Sequence, residues 1–273
     1  MRRFKQVDVF TAEPFKGNPV AVVIDAEGLD AAAMQRIANW TNLSETTFLL
    51  PSKVADYKLR IFTPLQELPF AGHPTLGSAH AALESGFVAR KKTLKQECLA
   101  GVMELTVDGR EIFVRGPQPK LAEIDSARLA RSIGVAAKGF LRVDVGAVWV
   151  IAEVASPEAL AGAKPDMGAL AEASRLQEVT GVTLFASSGR GEMHVRSFAP
   201  AHAIPEDPVC GTGNLSVAAY LRHTGQLQRF GDRYCARQGM QLGRDGRVSV
   251  RADADGVRIG GPSVTCVDGT ITI

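Results

Sequence analysis

The chain has 273 residues, 45% of them apolar and 22% charged, an ordinary globular composition that excludes a disordered or fibrous protein. Its formal net charge of +2 comes from scattered basic residues and leaves no electrostatic footprint for nucleic acid. No apolar run approaches the ~20 residues that span a bilayer, and no apolar segment follows the basic Met1-Arg2-Arg3-Phe4-Lys5-Gln6 to form a secretory signal, so a cytoplasmic protein is expected.

In chain order, Val7–Phe10 and Val20–Ile24 read as strands, separated by the turn-rich Glu13-Pro14-Phe15-Lys16-Gly17-Asn18-Pro19. Asp30 to Asn39 has helical period, with Met34, Ile37 and Ala38 on one face and Asp30 as its cap. Strands follow over Thr46–Leu50 and Lys58–Phe62, then a loop over Pro64–Pro69. Gly72 to Ser85 is a helix of small residues ending at Gly86. With Leu76, Ala79, Ala82 and Leu83 on its faces and few charges, it should be buried nearly all round. Ala89-Arg90-Lys91-Lys92 reads as a solvated loop, and Asp108-Gly109 as a hairpin turn.

Gly116-Pro117-Gln118-Pro119 is the best boundary, and beyond it the pattern returns. A helix over Met167–Gln177 precedes strands at Val182–Ala186 and Val195–Phe198. A loop through Glu206-Asp207-Pro208 leads into a helix from Gly211 to His223, ended by Gly225, and Asp245-Gly246 reads as a second hairpin turn.

The return is literal. Arg60-Ile61-Phe62-Thr63-Pro64 reappears as Arg196-Ser197-Phe198-Ala199-Pro200, each residue 136 positions later. Ala71-Gly72 matches Cys210-Gly211 at an offset of 139, and Asp108-Gly109-Arg110 matches Asp245-Gly246-Arg247 at 137. Two copies of one domain, each of ~135 residues, satisfy usual domain sizes. The expected class is α+β: two pseudo-symmetric domains, each a curled mixed or antiparallel β-sheet around a buried central helix. The expected boundaries are 1–117 and 118–258.

Glu67-Leu68-Pro69-Phe70-Ala71-Gly72-His73-Pro74-Thr75-Leu76-Gly77, with Glu206-Asp207-Pro208 and Gly17-Asn18-Pro19, resembles the phenazine-biosynthesis PhzF-like family along the whole chain. That family has the diaminopimelate-epimerase-like fold. The resemblance implies a cofactor-independent isomerase with its active site between the domains, and a final strand, 259–273, that crosses back to the first. Homodimers are common in the family. It also implies that Glu45 is the proton carrier, that His73 and Asp207 orient the substrate, and that Thr212 and the backbone at Gly72, Gly211 and Gly213 hold its polar groups. The substrate would be a small carboxylate-bearing molecule; no metal or cofactor is called for. Where many members carry threonine, this chain has Cys210, which keeps an epimerase-like thiol beside the PhzF-like glutamate.

The residues carry chemistry of their own. Glu45 lies between Leu43 and an apolar strand, where desolvation raises a carboxyl toward the range of a general acid/base; its repeat counterpart is Gly181, so the shared scaffold does not demand an acid. His73 starts a buried helix, whose dipole favours neutral imidazole, and His80 deeper in that helix reads as a packing residue. Asp207 is placed to cap the second helix, with Glu206 pointing to solvent. The helix dipole should lower the Cys210 thiol pKa, whereas Cys98, Cys235 and Cys266 read as core. Gly211-Thr212-Gly213 lacks the third glycine and the following acid of a dinucleotide site. Two alternatives stay open: an amino-acid epimerase, racemase or dehydratase using Cys210, and a non-catalytic protein that binds a small ligand.

Overall fold

The structure, a computed structural model, describes all 273 residues. They divide into two compact units, Met1–Arg115 with Gly260–Ile273, and Gly116–Ile259.

The first unit runs β1 (Arg2–Val9), β2 (Asn18–Val23), α1 (Ala31–Thr41), β3 (Thr46–Leu50), β4 (Tyr57–Phe62), β5 (Glu67–Leu68), α2 (Gly72–Glu84), β6 (Thr93–Cys98), β7 (Gly101–Asp108) and β8 (Glu111–Arg115). The second runs β9 (Lys120–Ala122), α3 (Ala127–Ser132), β10 (Ala137–Asp144), β11 (Val148–Val154), α4 (Pro157–Ala161), α5 (Met167–Leu176), β12 (Gly181–Gly189), β13 (Glu192–Ala199), β14 (Ile204–Asp207), α6 (Gly211–His223), β15 (Arg233–Gln238) and β16 (Gly246–Asp253). A long strand, β17 (Gly256–Ile271), starts in the second unit and ends in the first, where it pairs antiparallel with β1 from Val9↔Ser263 to Arg2↔Ile271.

One order of strand pairing occurs in both units. Along β1-β2-β3-β4-β6-β7 the steps are antiparallel, parallel, antiparallel, parallel, antiparallel. Along β10-β11-β12-β13-β15-β16 they are the same. Parallel neighbours need a crossover, and each crossover here carries helix: α1 and α2 in the first unit, α4 with α5 and then α6 in the second. Both units are therefore mixed sheets with few helices.

The central helices are buried because their residues are small. In α2 and in α6, ten of thirteen residues are buried. A Cβ on Gly77 would sit 2.4 Å from Val20 Cγ1, so α2 lies directly on β2. Two pairs of buried hydroxyls beside the helices satisfy each other, Thr47 with Ser78 at 2.8 Å and Thr183 with Ser197 at 2.9 Å. Outside, α1 is capped by Asp30, which accepts from Ala33 N at 2.7 Å, and packs Met34 and Ala38 against Val23, Phe48 and Phe62.

Several expectations are corrected. The loops at 64–69 and before Pro208 each contain a short strand, β5 and β14, paired to β4 and β13. Each is held by a two-pronged arginine: Arg60 to Glu67 at 2.7 and 2.7 Å, Arg196 to Glu206 at 2.9 and 2.8 Å. Glu206 therefore does not point to solvent; its side chain is 8% exposed. The same arginines lie over Phe62 and Phe198, 5.1 and 4.9 Å from the ring centres, which explains why the Arg-x-Phe triplet recurs. Asp108-Gly109 does make a tight turn, with Asp108 paired to Glu111. Asp245-Gly246 does not: β15 and β16 are joined by residues 239–245, which contain a 3₁₀ turn, and Gly246 already pairs with Gln238. A Cβ on Gly246 would lie 2.2 Å from Val209, so close packing, not a turn, requires that glycine. Cys98 is buried as expected, but Cys235 and Cys266 are half-buried, not core.

Candidate active site

In the first unit, α1 ends at Asn42 in a left-handed conformation (φ 54°), and the chain turns through Leu43 and Ser44 to put Glu45 one residue before β3. Its carboxylate is buried, and loss of water pushes the Glu45 pKa up to about 7, with a hydrogen bond to Ser44 opposing the shift. Glu45 Oε2 lies 3.3 Å from His73 Nε2. His73 is the second residue of α2 and is buried. Its other ring nitrogen, Nδ1, is 3.5 Å from the side-chain nitrogen of Asn18, the first residue of β2. An amide nitrogen only donates, so across this contact Asn18 is the donor and Nδ1 the acceptor, which leaves Nε2 on the side of Glu45.

The approach to Asn18 is set by Gly17, where a Cβ would stand 2.2 Å from the carbonyl oxygen of Val9. Asn18 is the residue of this half that sequence reasoning did not assign a role. Its signal was present in Gly17-Asn18-Pro19, but nothing in that triplet says which side chain it meets. At Gly72, α2 begins without a side-chain cap, since its N-cap residue is Ala71. The first N–H groups of the helix are thus left for other partners.

In the second unit, Cys210, Gly211, Thr212 and Gly213 form the start of α6, with Asp207 at the end of β14. Asp207 is not the helix cap. Its Oδ1 accepts from Val209 N at 3.0 Å, and its carbonyl accepts from Gln238 Nε2 at 2.9 Å. The cap is Cys210, whose Sγ accepts from Gly213 N at 3.3 Å. The thiol pKa is not lowered by the helix end either. Burial and the neighbouring Asp207 carboxylate push it well above the usual value, because desolvation of a fully buried thiolate outweighs the helix dipole and the Gly213 N–H. Thr212 is half-buried, and its Oγ1 accepts from Trp149 Nε1 at 2.9 Å. Trp149 carried no sequence signal beyond an aromatic residue in an apolar strand.

His80, read as a packing residue, is half-buried and polar in its contacts. Its Nε2 lies 3.2 Å from Thr265 Oγ1, and Thr265 donates to Glu84. It serves the attachment of β17 rather than the Glu45–His73 pair.

Glu45, His73 and Gly72 are thus gathered in the first unit, where Asn18 joins them; Asp207, Cys210, Gly211, Thr212 and Gly213 are gathered in the second. A carboxyl whose pKa is pushed up to about 7 is partly protonated and partly ionised near neutrality, a state suited to taking and returning a proton. The start of α6 supplies N–H groups and a hydroxyl suited to an anionic oxygen.

Known proteins resemble this chain along nearly its whole length. Residues 7–269 match the family model PhzC-PhzF, described as phenazine biosynthesis-like protein. Antisense-enhancing sequence 1 of Schizosaccharomyces pombe is 36% identical, over 97% of both chains. Trans-2,3-dihydro-3-hydroxyanthranilate isomerase of Pseudomonas aeruginosa is 34% identical, over 97% of this chain and 95% of its own. Among solved structures, a Bacillus anthracis phenazine biosynthesis protein of the PhzF family superposes with a TM-score of 0.88 at 28% identity, covering 100% of this chain and 99% of that one. With the family model matched from the first strand almost to the last residue, this chain belongs to the PhzC-PhzF family of phenazine biosynthesis-like proteins.

Proposed function

We propose that this protein is a cofactor-independent isomerase that moves a proton, and with it a double bond, in a small carboxylate-bearing substrate. The observation that carries the reading is Glu45, buried with a pKa pushed up to about 7 and 3.3 Å from His73 Nε2. The Pseudomonas aeruginosa relative is named for isomerising trans-2,3-dihydro-3-hydroxyanthranilate, a cyclic dihydro acid, and that class is the substrate proposed here.

In this mechanism the Glu45 carboxylate takes a proton from carbon. The electron pair left behind spreads into the adjoining double bond, and the same carboxyl returns the proton at the far carbon of the system. Nothing is oxidised or reduced and no group leaves, so the chemistry calls for no metal or cofactor. His73, with its Nε2 toward Glu45, steadies the carboxylate form and holds its orientation. Asp207 orients the substrate, and the backbone N–H groups at Gly72 and Gly211 with the Thr212 hydroxyl receive its polar oxygens, while Gly213, its N–H held by Cys210 Sγ, lets the helix start lie close to them. The same reading takes the two units as copies of one domain and the protein as a cytoplasmic homodimer.

Cys210 is left out of the proton path. A thiol whose pKa is pushed up by burial holds little thiolate at neutral pH, which argues against an epimerase or racemase built on it.

Deuterium uptake decides the matter. The Glu45 side chain is 15% exposed, so its proton exchanges with solvent before return; incubated in D2O with trans-2,3-dihydro-3-hydroxyanthranilate and followed by NMR, the wild type should incorporate deuterium at the carbon that receives the proton. Glu45→Gln should reduce the rate at least 10²-fold, the usual worth of a positioned acid/base, while Cys210→Ala keeps it within about threefold. Uptake that survives Glu45→Gln and disappears in Cys210→Ala would overturn the assignment.

A further inference from the structure

At the start of each buried helix, the second residue meets a side chain from outside the helix. In the first unit this residue is His73, facing Glu45; in the second it is Thr212, 139 positions on. Glu45 has its own counterpart 136 positions on, and that residue is Gly181. No side chain fits there. A Cβ on Gly181 would lie 1.9 Å from the carbonyl oxygen of Phe198, a backbone contact that no rotamer change relieves. The partner arrives instead from the neighbouring strand. Trp149 is the register partner of Gly181 in the parallel β11–β12 pair, and its indole reaches Thr212 Oγ1 at 2.9 Å.

The chemistry of this contact has one direction, because an indole N–H only donates. Thr212 Oγ1 is the acceptor, so its own proton must be given to something else. Trp149 is 3% exposed whereas Thr212 is half-buried, so the hydroxyl is gripped from the protein side and the residue still reaches solvent. The neighbouring sulfur, Cys210 Sγ at 3.6 Å, accepts the N–H of Gly213 and lies within reach of the Thr212 proton too, but sulfur is the weaker acceptor and a substrate oxygen outcompetes it.

We propose that Trp149 is a positioning residue that fixes the Thr212 hydroxyl as a hydrogen-bond donor to an oxygen of the substrate. The inference rests on the isomerase reading, in which Thr212 binds substrate. The duplicated site has then diverged by kind. One copy keeps a group that exchanges protons, and the other replaces it with a donor that does not titrate.

Trp149→Phe keeps the aromatic fill and removes the N–H. With trans-2,3-dihydro-3-hydroxyanthranilate, KM should rise about fivefold to tenfold, the worth of one neutral hydrogen bond, with kcat within about twofold. Thr212→Val should do the same, and the double variant should be no worse than Thr212→Val alone. A packing role for Trp149 would make the two losses multiply. The bond itself is read without turnover: the chain has two tryptophans, Trp149 and the 78% exposed Trp40, so indole-¹⁵N labelling gives two N–H signals. Thr212→Val should move the Trp149 signal upfield and leave that of Trp40 in place; an unmoved signal overturns the proposal. A wild type that turns nothing over would bring down the isomerase reading and the proposal with it. An active wild type whose KM is unchanged in Trp149→Phe would bring down the proposal alone.

Discussion

At the scale of the residue, Glu45 sets function against stability. Its carboxyl titrates near 4.5 in an unfolded chain and near 7 in the fold. Between those values the folded state holds a proton that the unfolded state has released, so stability falls as pH rises through this window and levels off above it. A shift of this size costs about 3 kcal/mol at pH 8. Glu45→Gln removes the buried charge, so the variant should melt above the wild type at pH 8 and with it at about pH 4, below the window; calorimetry at the two pH values checks this. The sequence made the desolvation of Glu45 legible through Leu43 and the apolar β3. The partnership with His73 was reachable only through the family resemblance, because 28 residues separate the two. Asn18 and Trp149 were not legible as partners. Each makes its contact from a strand to the second residue of a helix far along the chain, and neither residue type announces that contact in one dimension.

At the scale of the element, two ion pairs of matching form sit at different depths. Arg196 and Glu206 have side chains 7% and 8% exposed, whereas Arg60 and Glu67 are each 21% exposed. Arg196 also donates to the carbonyls of Leu160 and Ala163, tying β13 to the end of α4 and the turn beyond it. Removing one partner of a buried pair strands the other charge, so Glu206→Gln should cost about 3 kcal/mol or more. Glu67→Gln should cost nearer 1 kcal/mol, as more exposed pairs do. Urea unfolding of the two variants tests the ratio, and equal losses would refute the argument. The Arg60–Glu67 spacing is seven residues and the Arg196–Glu206 spacing ten, so the three-residue insertion hid the equivalence and left Glu206 looking like a solvent residue. The helices α2 and α6 were legible from their small residues and terminal glycines. The short α3 and α4, at six and five residues, are too brief for a helical period to register.

At the scale of the molecule, the second unit is an insertion within the first, since Gly260–Ile273 rejoins Met1–Arg115 after Gly116–Ile259. Truncation after Ile259 should therefore damage the half that lies furthest away in sequence. It strips β1 of the partner it holds from Arg2 to Val9, and removes Asp268 and Thr265 from the Lys5–Glu84–His80 cluster. Limited proteolysis of the truncated chain should cut within residues 1–115 and spare 116–259, and equal resistance of both would refute this. During synthesis the same arrangement imposes an order of events. Residues 1–115 leave the ribosome with β1 unpaired along one side, an open edge of the kind that recruits other chains. They wait in that state while 144 further residues emerge, until β17 closes the edge. The half that carries Glu45 is the first translated and the last finished, which makes it the part of the nascent chain with most need of a chaperone.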